Sequence, residues 1–459
     1  MPHDLVVMPQ KRPLSGSVPA PPDEDLSHLA LLVAALADGA SELRRVSKGI
    51  HATALMDALS RLGVTFDADA AAQTIRVRGR TLHGLVDPGG PLSCGRSVPT
   101  LSRLAAVLVA HSFQTVLTAD VAQPLRGMTE VAAALRRRAA QIEGAFSSAR
   151  AGELSAPFTV GPLLDGSALS GVEYELAGRR PDIKEALLLS GLYADEATYV
   201  REAIVSRDHL ERMLQAIDVP VSAAGPIIFL DPAGWSGKIE AFSFDVPGDV
   251  GAATLLAGMA TLVPGSRVCV RGVGLNATRT GVLDLLRQMG AERETTAEAT
   301  RLGETEGTVC AAYAPLRAVP MTGELLLHAR DDLPVLLALA ARARGTTEIA
   351  GLNALAATDA FVESVSARGM VDLLHAFGIE AVSPDPDCIV VSGRPDEPLA
   401  AVDVDAEGGA ARATTAIMLA LLGNGPSRIR DADALAERFP RVVGTLRALG
   451  VDVRVEQRG

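Results

Sequence analysis

A repeat constrains this chain more than anything else in it. From Gly251 to Glu294 an apolar run, Ala252 to Val263, is stopped by Pro264-Gly265 and followed by an alternating stretch, Ser266 to Val270. A Gly-rich turn at Gly272 to Gly274 then leads through Thr278 to apolar residues at helical spacing, Val282, Leu285, Leu286 and Met289, closed by Gly290. Pro cannot continue a helix and Gly accepts the turn after one, so the order reads helix, strand, turn, helix. The same order recurs with post-helix turns near Gly39, Ser112, Asp195, Gly265, Gly345 and Gly425, which lie 70 to 83 residues apart. Self-similarity at a fixed period is read before local detail, and here six units fill the chain.

The second helices of the six units are expected at Ala54 to Leu62, Met128 to Ile142, His209 to Ile217, Thr280 to Met289, Met370 to Phe377 and Phe439 to Leu449. A strand is expected at Leu5 to Met8 and a polar hairpin over Val64 to Arg80. A chain of 459 residues exceeds one ordinary core, and six units divide into two domains of three. Pro19-Ala20-Pro21-Pro22 reads as an extended crossing and Pro247-Gly248-Asp249 as the return. The expected domains are therefore 1–20 with 248–459, and an inserted 21–247.

A formal charge of −12 and a pI near 5.2 argue against nucleic-acid or anionic-membrane partners. Neither a secretory pattern nor an apolar run of membrane-spanning length is seen, which places the chain in the cytoplasm. Cys94, Cys269, Cys310 and Cys388 lack metal-site spacing and are expected as buried thiols; no metal or cofactor is expected. The only lysines are Lys11, Lys48, Lys184 and Lys238, so none follows residue 238.

Polar residues gather at helix entrances, where unpaired amides favour ligands or caps. Arg126 stands in the loop before the second helix of unit two. Arg136-Arg137-Arg138 reads as a solvated helix face. Arg180 and Asp182 open a helix of unit three, Ser206-Arg207-Asp208-His209 begins the next, and Asp331-Asp332 precede the run from Leu333 to Ala341.

Six β-α-β-α-β-β units in two groups of three, with Val246-Pro247-Gly248-Asp249, the string Val273 to Gly281, Ser206-Arg207-Asp208-His209 and Phe439-Pro440, resemble the 5-enolpyruvylshikimate-3-phosphate synthases. The resemblance implies an α/β fold of two inside-out α/β barrels, the enolpyruvyl transferase fold, closing over a small cyclohexene carboxylate. It also exposes departures. The family's Pro-Gly-Ser-Lys-Ser falls on Pro21-Pro22-Asp23-Glu24-Asp25, its Ser-Ser-Gln on Arg180-Pro181-Asp182, its Asp-His-Arg on Ala410-Ala411-Arg412, and its late Lys on Glu437. Where the family grips phosphoenolpyruvate with cations, this chain sets anions, with Arg412 and Arg126 remaining. Asp331 falls on the family's ring-facing Asp, Asp359 on its Glu, Ser206 is kept, and Asn353 lies one place from an Asn that contacts the ring.

Enolpyruvyl transfer needs cations around a trianionic donor. The reading drawn from the sequence is therefore an enzyme on shikimate or shikimate 3-phosphate that works without phosphoenolpyruvate, by 1,4-elimination of the 3-substituent and a C6 proton. Asp331 and Asp359 are its expected acid–base residues; Arg180, Asp182, Ser206, Arg207, Asn353, Arg412 and Arg126 are expected to bind substrate. Two alternatives stand beside it: a divergent enolpyruvyl transferase that uses phosphoenolpyruvate, and a non-catalytic binding protein that keeps only the fold. The sequence sets no oligomeric state.

Overall fold

A computed structural model describes residues 3–120, 128–146, 152–163, 167–352 and 366–457. It divides into two compact units. One comprises Met1–Pro21, Gly248–Ala299 and Thr305–Gly459; the other comprises Pro22–Pro247 and Thr300–Glu304. Each has its own apolar core. Among the described residues no helix is long and apolar enough to cross a membrane.

The repeat is realised as six small sheets, three in each unit. In the first repeat Ser243–Asp245 lies parallel to Ala40–Arg44, which pairs antiparallel with Thr74–Arg78, which pairs antiparallel with Thr65–Asp69. One parallel and two antiparallel pairings recur at Val172–Leu176 with Thr198–Glu202, Ile227–Leu230 and Val221–Ala224. The amino-terminal segment completes two sheets of its unit. His3–Val7 sits between Ser427–Arg430 and Val453–Gln457, and Ser15–Pro19 runs parallel to Arg267–Gly274.

The first helix of every repeat is mostly apolar, and such a helix must be buried on nearly every side. Glu24–Leu36, Val98–Leu108 and Pro181–Gly191 do this in one unit; Val250–Leu262, Leu333–Ala340 and Ala410–Ala420 do it in the other. All thirteen residues of Val250–Leu262 are buried. Close approach favours small residues: a Cβ at Gly258 would lie 2.9 Å from both Met418 Cε and Val335 Cγ1, so a methyl group there would make those side chains shift. The second helices are amphipathic and half-exposed, and they cover the sheets.

Several local expectations are corrected. The helix expected to reach Ile142 ends at Arg136, because the chain turns through a left-handed residue, Ala139 at φ 64°, and Ile142–Phe146 is a strand. Arg138 is not on a solvated face: it is 0% exposed, and its Nη2 donates to Leu187 O at 3.2 Å and Thr198 Oγ1 at 2.9 Å. Nor are all four cysteines thiols. Cys269 and Cys310 are direct antiparallel partners on neighbouring strands and form a disulfide, while Cys94 and Cys388 stay free and buried.

Candidate active site

Apolar helices leave their first-turn amides in need of acceptors, and carboxylates there are favoured by the helix dipole. Asp23 caps Glu24–Leu36 by accepting from Leu26 N, Ser97 caps Val98–Leu108 through Thr100 N, and Asp249 caps Val250–Leu262 through Gly251 N at 2.6 Å. Each unit gathers charged side chains at this pole of its inner helices.

In the unit built on Pro22–Pro247 the organising group is Arg103, 2% exposed. Its Nη2 meets Asp25 Oδ1 at 2.5 Å, its Nε donates to Glu185 Oε2 at 2.9 Å, and its Nη1 donates to His28 Nδ1 at 2.9 Å. Arginine has only donors, so His28 must accept at Nδ1 and carry its proton on Nε2, which donates to Thr100 Oγ1 at 2.9 Å. Burial, with Arg103 nearby, holds the His28 pKa well below its ordinary value, so the ring is neutral. Asp25 shows the opposite balance. Burial alone would raise its pKa, but Arg103, Arg207 and His209 hold it well below the carboxylate range. The hydroxyls continue outward: Thr100 and Ser97 are 2.7 Å apart, and Ser97 lies 2.9 Å from His51 Nδ1.

Glu24 is folded back onto this pole. Its Oε1 accepts from the backbone N–H of His51 at 2.9 Å, in the first turn of Ile50–Arg61. A carboxylate therefore caps the helix whose N-cap residue, Gly49, offers no side chain.

Beside it, Lys184 is 1% exposed and lies 3.1 Å from Glu202 Oε2, 2.7 Å from Glu211 Oε1 and 3.0 Å from Arg207 O. Burial opposes its charge, but the two carboxylates more than offset this and raise its pKa. Ser206 is fully buried, and its hydroxyl donates to Glu202 Oε1 at 2.5 Å. Ser206, expected to bind substrate, here ties the loop that carries Arg207 to Glu202. Arg180 and Asp182 form a two-pronged pair, 2.9 and 2.8 Å, at the start of Pro181–Gly191. Arg207 Nε stands 3.4 Å from Asp25 Oδ2.

The other unit converges on Gly251. A Cβ there would meet Arg438 Nη2 at 2.9 Å, Asp249 Oδ1 at 3.1 Å and Asp332 Oδ1 at 3.6 Å. Arg438 Nη1 donates to Asp249 Oδ2 at 2.7 Å. Asp331, expected as the base, lies in a 3-10 turn, Arg330–Asp332, ahead of Leu333–Ala340. Its carboxylate lies 3.4 Å from Arg279 Nε and 3.1 Å from Arg330 Nε. Burial would raise the Asp249 pKa, yet Arg438 and Arg279 lower it. Asp332 goes the other way: burial, then the charges of Asp331 and Asp249, push it up to about 7 despite the two arginines. Arg412 lies elsewhere in this unit, donating to Gly369 O at 2.6 Å and Asp405 O at 3.2 Å, with Glu407 at 3.5 Å. Arg126, Asn353 and Asp359 lie outside the described residues.

Sequence reasoning missed Arg103, Glu185, Lys184, Asp332 and Arg438 as site components. Three of them carry a visible signal, a charged residue inside an otherwise apolar helical run.

Three sheets and three inner helices per unit, with charged groups at the helix starts, define the two-domain α/β fold of the enolpyruvyl transferases. Comparison narrows that class. Residues 8–440 match the family described as EPSP synthase (3-phosphoshikimate 1-carboxyvinyltransferase). The chain is 33% identical over 442 residues to the 3-phosphoshikimate 1-carboxyvinyltransferase of Methylococcus capsulatus, covering 96% of each, and 34% identical over 436 residues to that of Acidithiobacillus ferrooxidans, covering 95% of each. The solved EPSP synthase from Acinetobacter baumannii superposes with a TM-score of 0.86 at 27% identity, covering 99% of this chain and 100% of that one. The enolpyruvyl transferase NikO from Streptomyces tendae shares the fold, at 17% identity and a TM-score of 0.76. This chain belongs to the EPSP synthase family.

Proposed function

We propose that the protein is an enzyme acting on shikimate 3-phosphate, the ring substrate in the names of its relatives. The reaction that the site geometry supports best is a phosphoenolpyruvate-independent 1,4-elimination. A base takes a proton from C6, the C6–H electrons form a C6–C1 double bond, the C1–C2 double bond moves to C2–C3, and the C3–O bond breaks with loss of phosphate. The product is a dihydroxycyclohexadiene carboxylate. Asp331 stands as the base, with Asp359 beside it in role; Arg180 and Arg207 receive the phosphate, which suits the planar fork of arginine. Asp182, Ser206, Asn353, Arg412 and Arg126 complete the proposed binding set.

One observation carries this reading, the bond from His51 N–H to the Glu24 carboxylate. The resemblance sets Glu24 at the position of the family's donor-gripping lysine, and here it brings a negative charge and accepts from the amide at the start of Ile50–Arg61.

Enolpyruvyl transfer is the second reading, and the comparisons favour it: identity of 33% extends over 96% of a curated transferase. Incubation with shikimate 3-phosphate, with and without phosphoenolpyruvate, followed by mass analysis separates the two. Diene and free phosphate without the donor are the expected result. A carboxyvinyl ether formed only with the donor establishes the transferase, and an unchanged ring under both conditions removes both readings.

A further inference from the structure

Three carboxylates and three guanidiniums meet around the start of Val250–Leu262: Asp249, Asp331 and Asp332 with Arg279, Arg330 and Arg438. They are not equivalent. Asp249 is bonded by Arg438 and by the amide of Gly251, and Asp331 lies between Arg279 and Arg330. Asp332 is 4% exposed, and its side chain makes no cap to its own helix. Its carboxyl is fixed close to two other carboxyls, one of them its sequence neighbour. A buried carboxyl crowded by like charges is where a proton is held most cheaply.

We propose that Asp332 carries a proton for this cluster and is a positioning residue for Asp331. With the proton on Asp332 the cluster is one charge more positive, and Asp331 is a weaker base. When Asp332 ionises, the like charge one peptide unit away raises the proton affinity of Asp331 and makes it the stronger acceptor. The two carboxyls titrate as a pair, so the basicity of the acceptor is set by a residue behind it. This rests on the proposed role of Asp331 in the ring reaction; the titration of Asp332 does not.

The charged groups facing Asp332 come from every neighbouring element. Asp331 and Arg330 share its turn. Asp249 caps Val250–Leu262, Arg279 follows the strand Arg267–Gly274, and Arg438 ends Asp433–Arg438. Ala410–Ala420 packs against Leu333–Ala340 and contributes an uncharged contact, the Thr415 hydroxyl donating to Pro334 O at 2.8 Å.

The test has two arms. A carboxyl whose proton affinity is higher folded than unfolded contributes fully below its unfolded pKa and loses that contribution as pH rises from there through its folded pKa. Thermal unfolding of the full chain between pH 5.5 and 8.5 should show the wild-type midpoint falling from pH 5.5 and levelling off above about pH 7 relative to Asp332→Asn, which should lack that fall and be the more stable at pH 8.5. Asp331→Asn, with one repelling charge removed, should keep the fall but level off at lower pH. Wild type and Asp332→Asn with parallel profiles, or an Asp331→Asn fall whose end does not move, overturns the assignment. In the second arm, turnover of shikimate 3-phosphate should have a pH limb near neutrality that shifts or vanishes in Asp332→Asn with KM changed less than about twofold. An unshifted limb overturns the positioning role. Absence of turnover in wild type refutes the reaction reading and this role together, while the unfolding arm still decides whether Asp332 holds the proton.

Discussion

Replacing Arg103 by Leu removes a buried cation that joins three inner helices, and the structure sets the size of the effect. An exposed ion pair contributes well under 1 kcal/mol, but Arg103 is 2% exposed and faces Glu185 and Asp25 at side-chain exposures of 6% and 17%. Leucine leaves both carboxylates buried with Arg207, 3.4 Å from Asp25, as the nearest remaining guanidinium. Breaking such a pair from one side costs about 3 to 5 kcal/mol. For a folding unit of this size that is a fall of about 6 to 20 °C in unfolding temperature. The sign of the pH dependence follows. Asp25 is depressed in the native protein, against the pull of burial, so its contribution is present above the unfolded carboxyl pKa and is lost as acid reaches the depressed value. In Arg103→Leu burial is less opposed and raises the Asp25 pKa, so the penalty is full near neutrality and shrinks on acidification. Scanning calorimetry and urea titration at pH 7.5 and pH 4.5 give the answer. A deficit below 1 kcal/mol at pH 7.5, or one that widens at pH 4.5, refutes the assignment of Arg103 as the buried hub, whereas Arg103→Leu combined with Asp25→Asn should recover part of the loss.

The tautomer forced on His28 by Arg103 is directly observable: long-range 15N–1H spectra of histidine-labelled protein should show His28 protonated at Nε2, accepting at Nδ1, and unchanged from pH 8 to about pH 5.5. A charged His28 in that range would contradict the network. The Cys269–Cys310 bridge spans 41 residues, so its reduction or Cys310→Ser should cost about 2 to 4 kcal/mol of unfolding free energy, and equal urea midpoints with and without reductant would show that it contributes nothing.

The repeat was legible because each unit switches between two periods, and a chain that alternates all-apolar runs with amphipathic ones has few ways to bury both. What escaped reading was decided by contacts between distant segments. Arg138 stands in a row of three arginines that looks solvated in one dimension, yet the turn at Ala139 points it inward to Thr198. The disulfide depends on strand register, which pairs Cys269 with Cys310, and a spacing of 41 residues does not announce it. Asp331 was singled out because it precedes an apolar run and falls, counting back from Gly345-Thr346-Thr347, on the family's ring-facing Asp; its role as base is the proposal made above. The contacts around it were not legible, since Arg279 meets Asp331 and Arg438 meets Asp249 from segments far apart in the chain.

Glu24 shows why losing a cation and gaining an anion have different consequences. A neutral residue at position 24 would remove attraction for a phosphate but leave the amides at the start of Ile50–Arg61 as donors toward any anion, which is the ordinary reason that helix starts bind phosphates. The carboxylate takes the His51 amide for itself and adds its own field to the same spot. Binding a trianionic donor there would have to displace Glu24 from that amide and also overcome repulsion between like charges. Across the chain, in its own unit, Asp331 remains beside Arg279 and Arg330 as a chemically usable carboxylate, close to a second carboxyl, Asp332, with a pKa near neutrality. The elimination proposed above needs a base and an exit for phosphate and no second anion, so it asks nothing of the position that Glu24 holds.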